Sequence, residues 1–180
     1  MDTEKQRLKE ILQEKSIMRG EFTLASGKKS DYYIDCRLTS LDAEGAYLVG
    51  KIILSEIIKN SEIVGIGGPT MGADPIVGSV IAQSHVIGKK LNGFLVRKEE
   101  KKHGTAKLIE GNLNKGDKVV VVEDVVTTAG SVIKAIKVVQ EFGAVVETVY
   151  VIVDREEGGE EKFQELGITY NPIFKIHELL

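Results

Sequence analysis

The sequence predicts an α/β fold, a parallel sheet covered by helices on both faces and preceded by a small N-terminal flap. Three observations carry this reading. Beyond Glu62 the chain alternates between strand-like and helix-like segments, and such alternation demands parallel pairing through crossover helices. The run Val119–Val122 is apolar and β-branched throughout, as a central strand buried on both faces requires. Shortly after it, Val132, Ala135, Ile136 and Val139 recur at i, i+3, i+4 and i+7, the stripe of a helix that packs back on the sheet.

Taken in order, residues 3–15 carry Leu8, Ile11 and Leu12 at helical spacing. Gly20–Leu24 and Ser30–Arg37 read as short strands around the turn Ser26-Gly27-Lys28. Asp42–Lys59 is a helix, with Asp42 as its N-cap and Val49, Ile52, Ile53 and Ile57 as its apolar stripe. The strand Glu62–Ile66 leads to a helix over Met71–Ser84, and the strand Gly93–Arg97 to a polar loop reaching about Ile109. Lys118–Val122 is the buried strand and Gly130–Phe142 its helix, closed by Gly143 where a C-terminal glycine belongs. Thr148–Asp154, Glu160–Leu166 and Ile168–Phe174 follow as strand, helix and strand. We expect a single domain, with residues 1–40 as N-terminal helix and flap and residues 41–180 as the core sheet. Ligands of such sheets bind beyond the carboxyl ends of the strands. The loops after Ile66, Arg97, Val122 and Val153 are therefore expected along one edge.

A chain of 180 residues suits one domain, which buries roughly 70% of the surface its unfolded form exposes. It needs neither disulfide nor structural metal to fold. The single cysteine, Cys36, excludes an internal disulfide and reads as a small, inert, partly buried residue in a protein of the reducing cytoplasm. A net charge of -3 gives no overall attraction to nucleic acid. The N-terminal MDTEKQRLKEIL has no apolar signal core, and no apolar run approaches the length needed to cross a bilayer. Neither nucleic acid nor membrane is expected as a partner. His85 and His177 fall in no motif and read as structural.

The chemistry concentrates in VVVVEDVVTTAGS, Val119–Ser131: a strand, two acids, a small-residue turn and a helix start. A helix N-terminus presents unpaired N–H groups and partial positive charge, which cradle a phosphate. Thr127, Thr128 and Ser131 can add hydroxyl donors, while Ala129 and Gly130 let the anion approach the backbone. Glu123 and Asp124 would repel a phosphate in the same place. They fit better as acceptors for the two hydroxyls of a ribose whose 5′-phosphate lies in the loop. A Walker-type loop is excluded, because no Gly-x-x-x-x-Gly-Lys-Ser/Thr occurs. The stretch GIGGPTMG, Gly65–Gly72, lacks the spacing of a dinucleotide fingerprint.

The pattern Val119–Ser131 resembles the signature with which type I phosphoribosyltransferases bind 5-phosphoribosyl-1-pyrophosphate (PRPP). In that fold Gly65–Gly72 is the natural place for pyrophosphate, since backbone amides there can face an anion. Three further segments narrow the resemblance: FTLASGKKSDYYIDCR (Phe22–Arg37), VRKEEKKHGT (Val96–Thr105) and VDREEGG (Val153–Gly159). In this order and spacing they resemble the orotate phosphoribosyltransferase family over essentially the whole chain. The resemblance implies transfer of the 5-phosphoribosyl group from PRPP to orotate, giving orotidine 5′-phosphate and pyrophosphate in pyrimidine biosynthesis.

The same resemblance implies roles for individual residues. Arg97, Lys98, Lys101 and His103 in the basic loop would meet the pyrophosphate of PRPP. Glu123, Asp124, Val125, Val126, Thr127, Thr128, Ala129, Gly130 and Ser131 would hold its ribose phosphate. Thr127 and Arg155 would hold orotate, under the flap Phe22–Arg37. Lys101, His103 and Asp124 are the catalytic candidates. Mg²⁺ is the implied cofactor, bound mainly through PRPP with no direct protein ligand set. A homodimer is implied, with the basic loop reaching the active site of the other subunit. Some relatives carry Lys where this chain has Ala25, and Lys28 or Lys29 could compensate.

The chemistry of orotate agrees with this mapping, because an arginine fork pairs with a carboxylate in two places. The residues alone leave alternatives open. Arg155 could be a surface residue paired with Glu156 or Glu157, and the loop cations a solvated cluster interleaved with Glu99 and Glu100. A phosphoribosyltransferase for a purine or xanthine is the nearest rival. A PRPP-sensing regulator that binds nucleic acid is a more distant one.

Overall fold

The computed structural model describes residues 3–23, 27, 29–99 and 108–180. Helix α1 (Thr3–Ile11) runs into one π-helical turn, Leu12–Ser16, and buries Leu8, Ile11 and Leu12. Strands β1 (Ile17–Thr23) and β2 (Lys29–Ile34) form a separate antiparallel hairpin. The second strand was expected to reach Arg37 but stops at Ile34. Asp35 accepts the Arg37 N–H at 3.0 Å and forks its guanidinium, so the chain turns into the short helix α2 (Arg37–Ser40). Helix α3 (Ala43–Ile57) begins where the sequence places it, with Asp42 Oδ2 accepting the Gly45 N–H at 3.0 Å.

The remaining strands are β3 (Ile63–Pro69), β4 (Asn92–Val96), β5 (Ile109–Gly111), β6 (Lys118–Val126), β7 (Val145–Asp154) and β8 (Thr169–Lys175). Among the described residues they form one six-stranded sheet in the order β5-β4-β3-β6-β7-β8. All neighbours are parallel except β5, which returns antiparallel to β4. That edge strand begins at Ile109, where the expected polar loop ends, and is too short for any alternation to register. Helices α4 (Ala73–Val86), α5 (Gly130–Phe142) and α6 (Gly159–Glu165) are the crossovers.

The β-branched run of β6 supplies both cores at once. Val120 and Val122 pack with α1, α3 and α4 on one face. Val119 and Val121 pack with α5 and Phe163 of α6 on the other. Alternation of side chains across a strand requires this split. Cys36, expected to be partly buried, is fully enclosed in the first core, and burial pushes its thiol well up. Strand β6 also outruns its predicted end at Val122. Glu123 pairs with Val151 and Val126 with Asp154 of β7, which carries both acids to the carboxyl rim of the sheet.

Candidate active site

Parallel register places the ends of β3, β4, β6 and β7 along one edge, with Pro69 beside Val96 and Val126 beside Asp154. Cavities open there. One of about 310 Å³ is lined by Asp35, Glu123 and Asp124, by Arg37 and Lys98, and by Thr70–Gly72 and Ser131. A second, about 580 Å³, lies between the hairpin and the end of β7. Glu21, Lys29, Ser30, Asp31, Tyr32, Arg155 and Glu157 line it. A third, about 620 Å³, runs between Arg97 and Lys98 and the start of α5.

The first cavity is built around two adjacent acids, Glu123 buried and Asp124 half-buried. Glu123 is only 6% exposed. Its Oε2 accepts from the Ser131 hydroxyl at 3.3 Å, and Asp124 Oδ1 accepts the Val125 N–H at 2.8 Å. Burial pushes Glu123 up to about 8, with repulsion from Asp124 adding to the rise. Burial also raises Asp124, while the Val125 amide and Arg37 pull it back. Asp35 is held below the usual carboxylate range by its Arg37 fork, at 2.8 Å on both arms. The acids thus form a pocket of oxygen acceptors that favours incoming hydroxyl donors or a cation.

The glycine-rich stretch divides its labour. Gly65–Pro69 lies in β3, where a Cβ on Gly68 would fall 2.0 Å from the Val122 carbonyl oxygen. Those glycines serve strand packing, and only Thr70–Gly72 reaches the cavity. A Cβ on Gly72 would stand 2.0 Å from Glu123 Oε1 and 2.4 Å from Asp124 Oδ1. Glycine alone lets this turn close over the acid pair.

At the β6–α5 junction Ala129 takes a left-handed conformation, φ 60°, and among the described residues no side chain caps the helix. A helix start of this kind can present its first-turn amides to an anion. Lys162 of α6 ties the loop down by donating to the Thr128 carbonyl at 2.8 Å. The Ser131 hydroxyl, expected as a phosphate donor, donates to Glu123 Oε2 at 3.3 Å.

Arg155 lies one strand over. Its N–H donates to the Val126 carbonyl at 2.9 Å, which sets it beside Thr127. Its side chain is 11% exposed, and its guanidinium carbon sits 5.1 Å from the Tyr32 ring centre. Its Nε lies 3.0 Å from Glu157 Oε1 but off the N–H axis, so the contact is an ion pair without a hydrogen bond. The sequence alternatives for Arg155 therefore coexist: it faces a cavity and is paired with Glu157.

Of the basic loop, Arg97 and Lys98 are described. The Arg97 guanidinium is 3.7 Å from Glu110 on β5, and Lys98 lines the first and third cavities. Lys101 and His103 lie outside the described residues, as do Ala25 and Lys28. His177, read as structural, stands 2.8 Å from Glu156 through Nδ1. Asp35, Arg37 and Glu157 were not singled out as site residues. Opposite charges two residues apart at a strand end were the only local hint of the first pair.

The oxygen-rich first cavity suits a hard divalent cation, which binds through one or two carboxylates and completes its shell with water and phosphate oxygens. Among the described residues no group of three or more His, Cys, Asp or Glu is arranged to hold a metal. No helix among the described residues is long and apolar enough to cross a membrane.

Comparison with known proteins agrees with this geometry. Residues 39–174 match the phosphoribosyl transferase domain. The chain is 42% identical over 173 residues to an orotate phosphoribosyltransferase from Rhodopirellula baltica, covering 93% of this chain and 90% of that one. It superposes on the orotate phosphoribosyltransferase of Mycobacterium tuberculosis H37Rv in complex with Fe(III) dicitrate, with a TM-score of 0.86, 34% identity and 98% of each chain covered. A structure of the M. tuberculosis enzyme in complex with PRPP matches with a TM-score of 0.82 and 32% identity, again over 98% of each chain. The acid pair, the helix start beside it and the rim arginine thus sit in a chain that belongs to the orotate phosphoribosyltransferase family.

Proposed function

We propose that the chain transfers the 5-phosphoribosyl group of PRPP to orotate, releasing pyrophosphate and forming orotidine 5′-phosphate in pyrimidine biosynthesis. The observation that carries this reading is a juxtaposition. An acid pair and an open helix N-terminus end β6, and a nearly buried arginine ends its neighbour β7. The first pair of features suits a ribose 5-phosphate, and the arginine suits a base that bears a carboxylate.

Cleavage of the C1–pyrophosphate bond builds positive charge on the ribose and negative charge on the leaving group. The protein's task is electrostatic and positional. Glu123 and Asp124 accept the ribose hydroxyls, and the amides of Thr127–Ser131 hold the 5′-phosphate. Arg155 and Thr127 orient orotate beneath the β1–β2 hairpin, with Lys29 at its rim. Orotate can present an anionic ring nitrogen, so no strong base is needed, and Asp124 is the residue placed to handle any proton. Arg97, Lys98, Lys101 and His103 meet the departing pyrophosphate, and His103 can donate a proton near neutral pH. Glu123 and Asp124 are the side chains that would adjoin Mg²⁺, which would supply neutralising charge for the leaving group.

The active form we propose is a homodimer in which the basic loop serves the other subunit. Exposed Leu38 on α2, Leu41 just after it and Tyr47 on α3 give such a dimer an apolar surface to cover. The expected assay result is a fall in orotate absorbance that requires both PRPP and Mg²⁺, with adenine, hypoxanthine and xanthine left unreacted. Turnover of a purine and none of orotate would overturn the reading. Mixed dimers of Lys101→Ala and Asp124→Asn chains should regain activity, and verified heterodimers without recovery would place the loop in its own subunit.

A further inference from the structure

Glu157 occupies the group that the base reading reserves for substrate. The Arg155 guanidinium is enclosed on one side by the Tyr32 ring and met at Nε by the Glu157 carboxylate, 3.0 Å away. The described lining of this cavity holds the acids Glu21, Asp31 and Glu157 against only Lys29 and Arg155. An anionic base entering here gains little from the pocket as a whole. Its attraction depends on Arg155, the cation that Glu157 already neutralises.

We infer that Glu157 is an internal stand-in for the substrate carboxylate and a specificity-determining residue of the base site. The inference rests on the base-site reading above. Before the base binds, Glu157 satisfies a guanidinium that would otherwise be a nearly buried, unpaired charge. An incoming carboxylate must displace it or share the guanidinium with it, and two carboxylates on one guanidinium repel each other. A base without a carboxylate meets no such contest, because the Arg155–Glu157 pair stays closed beside it. Glu157 therefore narrows the advantage of acidic over neutral ligands and keeps the release of an acidic product from being slow. Its position two residues after Arg155, on the same turn, lets it leave and return without movement of the sheet.

Orotidine 5′-phosphate and uridine 5′-phosphate differ by one carboxylate and share every other group, so the ratio of their affinities isolates the contest. Titration calorimetry on the intact wild-type enzyme, E157Q and R155Q gives that ratio in each, and thermal melts check that the variants fold. E157Q keeps the shape of the side chain and removes its charge. The expected result is a preference for orotidine 5′-phosphate that widens in E157Q by about two- to fivefold, the range for a partly exposed ion pair. In R155Q the preference should vanish. A ratio that is unchanged or smaller in E157Q, with the preference lost in R155Q, would overturn the stand-in role and leave Glu157 as a residue that orients Arg155. A preference that survives in R155Q would overturn the base-site reading itself.

Discussion

At the carboxyl end of β6 two carboxylates sit side by side, Glu123 buried and Asp124 half-buried. At the end of β7, one strand over, a carboxylate pairs with a nearly buried guanidinium. The first junction is electrostatically unsatisfied and the second is closed on itself. The difference teaches what each waits for. The acid pair gains from any ligand that brings hydroxyl donors or positive charge, so its binding energy is available for the reacting sugar. The arginine already has a partner, so its ligand gains only by being a better one.

The sharpest way to break this comparison is to remove one group from each junction. Asp124→Asn should lower kcat by about 10²- to 10³-fold, because the group sits against the sugar where charge develops. Arg155→Ala should instead raise the KM for orotate by about 10- to 100-fold and change kcat less, the loss expected when a charged hydrogen-bonding partner is removed. Steady-state kinetics with PRPP and orotate varied separately distinguishes the two. If both losses fall on the same constant, the junctions are not functionally separate.

A second test uses pH on the ligand-free protein. Folding raises Glu123 from 4.5 to about 8, so between those values the folded protein keeps a proton that the unfolded chain releases. Stability is then greatest below the lower value and falls as pH climbs through the window. Glu123→Gln removes that slope. Its Tm should exceed that of the wild type by several degrees at pH 8 and by little at pH 4.5. Parallel melting curves across the window would show that the acids are relaxed by a means other than protonation.

The two junctions were also unequally legible in the sequence. Strand, acids, turn and helix of the β6–α5 junction are contiguous, so local signals sufficed to find Glu123–Ser131. Arg155 was found by motif, but its Glu157 contact and its seat on Tyr32 were not, because two neighbouring acids offered themselves and Tyr32 comes from a distant hairpin. Asp35 and Arg37 entered the acid cavity only once α2 was seen to turn them toward β6. What the missing side chain of Gly72 allows is visible only when the acids are in place. The end of β6 was misjudged because charged residues resemble a strand terminus. Pairing with β7 carries the strand past them.

The smallest effect comes from backbone conformation, where the junctions again differ. Each contains one non-glycine residue with positive φ, Ala129 at 60° and Glu156 at 57°. Glycine relieves about 1 kcal/mol of left-handed strain but returns about 0.4–1 kcal/mol of freedom to the unfolded chain. Those contributions nearly cancel, so the side chain decides the sign. The Ala129 methyl is 3% exposed and packs in the core beneath α5, and losing it costs about 0.8 kcal/mol. Ala129→Gly should therefore lower Tm by about 1–4 °C. Glu156 is exposed and contributes a contact to His177 at the surface, so Glu156→Gly should move Tm less than Ala129→Gly does. A stabilised Ala129→Gly would mean that the β6 junction is strained in its backbone as well as in its charges, and that its loop is held open by the fold against a cost larger than one buried methyl.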